Sequence, residues 1–285
     1  MEQTSRILLL NKEPGQTSFT SLNKVKRVYG KKVGHAGTLD KFAQGLLIVL
    51  TGSLTKLNPI FSNMDKSYRA HIAFGSETDT LDPEGEVIAT GELPSFETIK
   101  EAMRTFSGEI MQEPPIYSAL HVNGTRASAL ARKGKDVQLQ KRAVRIDHFT
   151  PISYEDGILI ADVAVSKGTY IRSLARDLGL SCKSRAHLSA LVRTSIGPFT
   201  LEEAAEIEDV SDHTNEYLHR LDCVEIAEIE YSLLFSLANG RYPNKYSTIK
   251  EGSEFIAFYS SDHILRAVGN KETQRLIAQV NRGGV

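Results

Sequence analysis

Asp40 ends the segment Val33-Gly34-His35-Ala36-Gly37-Thr38-Leu39-Asp40, where residue types and spacing speak most directly of chemistry. Two glycines within four residues let the backbone turn tightly and let a ligand come close. They deliver one carboxylate at the end of a loop, just ahead of the apolar run Leu46 to Leu50. That run reads as a buried strand able to hold the loop rigidly. A lone Asp at a turn is ordinarily a turn former, so a chemical role for Asp40 has to come from its wider context.

The elements around it follow from periodicity. Leu22, Val25, Val28 and Tyr29 recur at helical spacing behind the capping candidates Ser18 and Ser21, and Gly30 ends that helix. Tyr68, Ala70, Ile72 and Phe74 alternate with Arg69, His71 and Ala73, the pattern of a strand with one buried face. Ile99, Ala102, Met103 and Phe106 form a helical stripe between Ser95 and Gly108. Leu159, Ala161, Val163 and Val165 alternate as another strand leading into Ser166-Lys167-Gly168. Ile171, Leu174, Ala175 and Leu178 then share one helix face, with Thr169 as N-cap and Gly179 as stop. Strands and helices intersperse without regular βαβ units, which predicts an α+β fold around a mixed sheet. After about residue 215 the chain changes character. Ile226 to Glu230 and Phe255 to Tyr259 read as short strands between turns at Gly240, Pro243 and Gly252.

Composition bounds the rest. The chain has 285 residues, 41% hydrophobic and 24% charged, enough for one large domain and a small one. The early apolar run Ile7 to Leu10 is too short for a signal-peptide core or a membrane span. Cys182 and Cys223 read as free thiols of a reducing cytosol, and neither belongs to a CxxC or His-rich cluster that would hold zinc. The net charge of −1 is low for a nucleic-acid binder, but the charge is unevenly spread. Lys24, Lys26, Arg27, Lys31 and Lys32 crowd one segment, and Arg126, Arg132, Lys133, Lys135, Lys141, Arg142 and Arg145 another. The acids gather elsewhere, notably from Glu202 to Asp212.

The Asp40 loop, with Ala43, Gly45, Leu46 and Leu47 behind it, resembles the active-site loop of the TruB family, bacterial synthases that make pseudouridine from uridine 55 in the tRNA T loop. Other blocks resemble that family in its order. They are Leu10 to Ser18, Lys66-Ser67-Tyr68, Thr78-Asp79-Thr80 with Asp82 and Gly85, and Pro114-Pro115 with Tyr117-Ser118-Ala119. Ser166 to Leu174 and Ala186-His187-Leu188 through Leu191, Arg193 and Thr194 complete a set that spans residues 10 to 194. The resemblance implies a pseudouridine synthase core over residues 1–218, a long bent, mostly antiparallel sheet flanked by helices. It also implies a C-terminal RNA-binding module of the PUA type. Residues 225–285 are short for one and read as a reduced version, with a structural cap as the alternative.

The implied reaction breaks the N-glycosidic bond, rotates the base and rejoins it through carbon, with no redox step, cofactor or metal. The resemblance makes Asp40 the catalytic carboxylate, either as nucleophile or as the base that takes a sugar proton to form a glycal. Burial would push an Asp toward its neutral form, so a cationic partner is expected, and Arg172 is the match. A target base in a folded T loop has to be flipped out. Tyr68 is then its stacking partner, Leu191 the apolar wall, Tyr170 a neighbour of the carboxylate, and His35 the probe of the vacated space. Lys12 orders the loop rather than reacting. The basic clusters flank these motifs and read as phosphate contacts rather than a merely solvated surface. The expected partner is the tRNA T-arm, bound by a cytoplasmic monomer that uses no membrane.

Departures from the family pattern concentrate in segments expected to touch RNA. Lys41 stands where the family has Pro, and it could add a phosphate contact; Gln44 replaces a small hydroxyl residue. The proline of the opening motif is one place late, at Pro14; His121 replaces a Lys and Ser128 an aromatic. Three other readings fit less well. A T-loop-binding RNA chaperone would not need Asp40, Tyr68 and Arg172 together. A guide-RNA-dependent synthase would be expected to carry a full C-terminal module and basic tails, unlike Gly283-Gly284-Val285. A glycosidase would usually need two spaced carboxylates.

Overall fold

The computed structural model describes residues 4–118, 120–122, 124–131, 139–205 and 213–280. Ala119, Arg132, Lys133, Lys135, the acidic residues from 206 to 212 and the end at 283–285 lie outside them, as do the side chains of His121, Arg126 and Ser128. The chain opens with β1 (Ile7–Lys12), α1 (Ser18–Tyr29), β2 (Val33–Ala36), β3 (Gln44–Thr51) and α2 (Asn58–Ser62). It continues with β4 (Lys66–Phe74), β5 (Ser76–Thr78), β6 (Val87–Thr90), α3 (Phe96–Met103) and β7 (Gly108–Gln112). Next come β8 (His121–Val122), β9 (Thr125–Arg126), α4 (Ala127–Ala131), β10 (Arg142–Glu155), β11 (Ile158–Val165), α5 (Ile171–Ser181) and β12 (Ala186–Ile196). The last part holds β13 (Phe199–Thr200), α6 (Thr214–His219), β14 (Val224–Ile229), α7 (Leu234–Ala238), β15 (Ser247–Lys250), β16 (Phe255–Ser260), β17 (Leu265–Asn270) and β18 (Arg275–Gln279). This is the α+β class expected from the sequence. No helix among the described residues is long and apolar enough to cross a membrane.

Two compact units share the chain. The first takes Met1–Asp40, Gly45–Asn63 and Pro198–Val285; the second takes Lys41–Gln44 and Met64–Gly197. In the first unit β3 is the buried strand anticipated from Leu46 to Leu50, flanked antiparallel by β1 and β2. α1 lays Leu22 and Val25 onto Leu8, Leu10, Leu47 and Val49 of those strands. The C-terminal residues form a five-stranded sheet in the order β15-β14-β16-β17-β18, in which β14 and β16 run parallel. Its own core contains Ala227, Ile229, Leu234, Leu237, Ile256, Phe258 and Ala267. The second unit is an antiparallel run β12-β4-β11-β10-β7. Tyr68, Ala70, Ile72 and Phe74 turn to its buried side as their alternation demands.

Local chemistry moved several expected boundaries. Thr17 caps α1, accepting from Thr20 N, while Ser18 and Ser21 lie inside the helix. Val28 is exposed, off the buried stripe. α3 ends at Met103, so Phe106 belongs to the turn after it. Thr169 does not cap α5, because its hydroxyl donates to Ser166 O; Tyr170 holds the cap position instead. The helix also runs through Gly179 to Ser181, since that glycine serves packing against Ala186 rather than termination.

Candidate active-site residues

Lys12, His35 and Asp40 belong to the first unit, and Tyr68, Tyr170, Arg172 and Leu191 to the second. Lys12 ends β1 with its side chain almost wholly buried. Its Nζ donates to Glu13 O at 2.9 Å and Gln16 O at 2.7 Å, folding the turn that leads to the Thr17 cap. An ammonium engaged on these two carbonyls orders the backbone of residues 13–16. His35 lies in β2 opposite Val49, half-buried, and its carbonyl accepts from Asn58 Nδ2 at 2.6 Å. The loop then turns at Gly37, whose φ of +79° lies in the left-handed region that favours glycine. Leu39 drops into the core, and Asp40 follows half-buried. Ser18 Oγ holds Leu39 from both sides, donating to its O at 2.9 Å and accepting from its N at 2.8 Å.

The second unit begins one residue on, at Lys41. Its ammonium pairs with Glu84 at 2.5 Å, both side chains about half exposed. Glu84 belongs to the turn Thr78 to Gly85. There Asp82 Oδ1 accepts from Thr80 Oγ1 at 2.6 Å and from Glu84 N at 3.0 Å. Gly85 has to be glycine, because a Cβ would lie 2.3 Å from both Asp79 Oδ1 and Thr80 Oγ1. The other oxygen of Asp82 faces Arg172 Nη1 at 3.4 Å, and both side chains are buried. Nη1 also donates to Thr80 O at 2.9 Å, and Nη2 to Tyr117 O at 3.0 Å. Arg172 occupies the first turn of α5, where the helix dipole disfavours a cation. Asp82 and the two carbonyls supply the offset.

The start of α5 is fixed by a side chain that sequence reasoning missed. Gln112 is fully buried; its Nε2 donates to Tyr170 O at 3.1 Å and its Oε1 accepts from Tyr170 N at 2.8 Å. One amide thus pairs with Tyr170 as a neighbouring strand would. Ser173 Oγ donates to Glu113 O at 2.7 Å, and the Arg142 guanidinium lies 4.8 Å over the Tyr170 ring.

Tyr68 and Leu191 share a sheet face. Tyr68 is opposite Arg193 and Leu191 opposite Ala70, so the pleat turns all four to one side. Tyr68 is 8% exposed and Leu191 5%, while Arg193 is fully buried. Lys66, two residues before Tyr68, faces the same way and donates to Met64 O. Burial, and then the charge of Arg193, lowers its pKa to about 8, with Asp65 opposing. Asp82 and Arg193 could have been found from the motif blocks that contain them. Gln112 and Ser18 gave no signal of their long-range roles.

Residues 26–171 match the model of the TruB family pseudouridylate synthase N-terminal domain, and residues 172–228 that of the tRNA pseudouridylate synthase B C-terminal domain. The chain is 42% identical over 259 residues to the tRNA pseudouridine synthase B of Borreliella burgdorferi strain ZS7, covering 87% of this chain and 92% of that protein. It is 34% identical over 276 residues to the protein of the same name from Caldanaerobacter subterraneus subsp. tengcongensis, covering 95% and 96%. Among solved structures, an H/ACA RNP bound to a substrate RNA containing 2'-deoxyuridine aligns with a TM-score of 0.69 at 19% identity, covering 99% of this chain and 86% of that one. A Cbf5-Nop10-Gar1 complex aligns at 0.67 and 22% identity, covering 99% and 85%. These two likenesses are likenesses of fold.

Proposed function

The chain belongs to the TruB family, whose members turn uridine in tRNA into pseudouridine, and from that premise we propose uridine 55 of the T loop as its target and Asp40 as its catalytic carboxylate. The reaction is an isomerisation in which the glycosidic C–N bond breaks, a C–C bond forms, and the base loses no atom except an exchanged proton. Asp40, ionised, acts beside the sugar either as nucleophile or as the base of a glycal route. Arg172 serves as its cation. Tyr68 and Leu191 hold the flipped base, a stacking contact contributing about 1–3 kcal/mol. Tyr170 flanks the carboxylate, His35 occupies the space the base has left, and Lys12 orders the loop.

The observation that most supports these roles is a chain of bonds beginning at the residue after Asp40. Lys41 pairs with Glu84, Glu84 N bonds Asp82, and Asp82 pairs with Arg172. The turn that keeps Arg172 in place therefore also holds the side chain of Lys41. The exposed Lys24, Arg27, Lys31 and Lys32 are phosphate contacts on the tRNA. Residues 1–218 are the catalytic part. Residues 225–285, with a hydrophobic core of their own, are a reduced RNA-binding module. The protein works as a monomer in the cytoplasm without metal or cofactor.

The test is incubation of the purified protein with an unmodified tRNA transcript and mapping of pseudouridine by position. Product at position 55, absent from a transcript carrying cytidine there, is the expected result. Product confined to other positions overturns the proposed target.

A further inference from the structure

We infer that Ser18 is a positioning residue for Asp40, acting through the backbone of Leu39; the inference rests on Asp40 being the catalytic carboxylate. A serine in the first turn of a helix ordinarily bonds the backbone of its own helix. Here Thr17 does that work, and the hydroxyl of Ser18 reaches a residue 21 positions away. It takes both polar groups of Leu39, the O at 2.9 Å and the N at 2.8 Å. Both residues are about 97% buried, so neither group can turn to water instead.

The consequence for Asp40 is geometric. The Leu39 carbonyl belongs to the peptide unit that also contains the Asp40 nitrogen. That unit is planar, so fixing the carbonyl direction fixes the bond from which the Asp40 α-carbon hangs. On the other side Leu39 is anchored by its side chain in the core. Asp40 therefore enters its conformation from a rigid base although it lies on a loop. The same α1 is seated through Leu22 and Val25 on β1 and β3, so the clamp ties the loop to the packed part of its unit. This gives the Thr17-Ser18 pair of the opening motif two separate tasks: one residue starts the helix and the next holds the catalytic loop.

Ser18→Ala, Ser18→Thr, Ile99→Ala and Asp40→Asn are compared in the full-length protein. The readouts are single-turnover isomerisation of tRNA at saturating protein, tRNA Kd, Tm and amide exchange of residues 36–40. Ser18→Ala should lose roughly 10- to 100-fold in rate, the scale that misplacement of a reacting group by about 1 Å produces. Its Kd should stay within about threefold and exchange at 36–40 should accelerate. Ser18→Thr, which keeps the hydroxyl, should restore most of the rate. Ile99→Ala, at a fully buried position of α3 that has no part in the clamp, separates position from stability: it should lower Tm at least as much yet turn over at the wild-type rate. Where Ser18→Ala does not fold, Ser18→Cys replaces it and is held to the same outcomes. A wild-type rate in Ser18→Ala beside an inactive Asp40→Asn overturns this inference alone, as does an equal rate loss in Ile99→Ala. Turnover by Asp40→Asn removes the underlying role of Asp40 and this inference with it.

Discussion

Asp40 and Arg172 illustrate two kinds of support. Beside Asp40 the structure holds both sequence neighbours, the backbone of Leu39 through a buried hydroxyl and the side chain of Lys41 through an exposed ion pair. Around Arg172 it grips the side chain itself, with Asp82 and the carbonyls of Thr80 and Tyr117 on the guanidinium. A loop is the usual place for a reacting group and a helix for a scaffold. The price of burying a cation in the first turn of α5 is met by its own acceptors, which leave little latitude in where its charge lies. Holding Leu39 instead fixes the peptide from which Asp40 projects. The comparison teaches two ways of placing a charge, and on the proposed roles the first is the one that reacts and the second the one that stays constant.

Replacement of the reacting charge should have the largest effect. Asp40→Asn should bind tRNA as the wild type does and form no pseudouridine in single turnover, because the amide carries no negative charge. Sustained turnover by a variant verified free of deamidation would break the comparison at its first term.

The constant charge should matter next, and in a pH-dependent way. Loss of an adjacent cation typically raises a carboxylate pKa by about 1–3 units. Arg172→Ala should therefore be slow at neutral pH and recover in part as rising pH restores the ionised Asp40. Arg172→Lys should rescue only partly, since an ammonium lacks the planar fork that reaches several acceptors at once. A rate–pH profile of Arg172→Ala parallel to wild type, with weakened tRNA binding, would make Arg172 a phosphate contact instead.

Tyr68 tests whether the face it shares with Leu191 receives a base. Tyr68→Phe should retain most of the single-turnover rate and Tyr68→Leu should lose on the order of tenfold or more, the scale of one stacking contact. Equal losses in the two would assign the role to the hydroxyl. The smallest effect belongs to the exposed pair. Glu84→Gln should slow the reaction by about twofold at low ionic strength and not at all in high salt, because exposed pairs contribute little and are screened. A larger, salt-independent loss would show that the two flanks of Asp40 are held with comparable strength.

The parts that follow a period were legible in the sequence. The run at 46–50 became β3, the alternation from Tyr68 became β4, and Ile171, Leu174, Ala175 and Leu178 became the buried face of α5. The residues that hold the site were harder to read, for a physical reason. Asp82 meets Arg172 across 90 positions, Gln112 meets Tyr170 across 58, and Ser18 meets Leu39 across 21. A side chain that bonds distant backbone leaves no periodic trace, and its type is common to many surface positions. The misplaced start of α5 has the same origin, since Thr169 uses on Ser166 the hydroxyl that would have capped the helix. The parallel pairing of β14 with β16 was equally invisible, because register between strands separated by a helix is set by packing alone.

The first unit is assembled from both ends of the chain, and this gives its birth on the ribosome a timetable. Ile7 N donates to Thr214 Oγ1 and Leu9 O accepts from Ala205 N, so β1 finds these partners only after the intervening second unit has been made. At about 5–20 residues per second, that delay is on the order of ten seconds. During it the apolar strands Ile7 to Leu10 and Leu46 to Leu50 wait unfinished, while the second unit, nearly continuous in sequence, is free to fold. A nascent-chain experiment should thus find protease resistance first in Met64 to Gly197, with the segment bearing Asp40 secured only as the C-terminal third emerges.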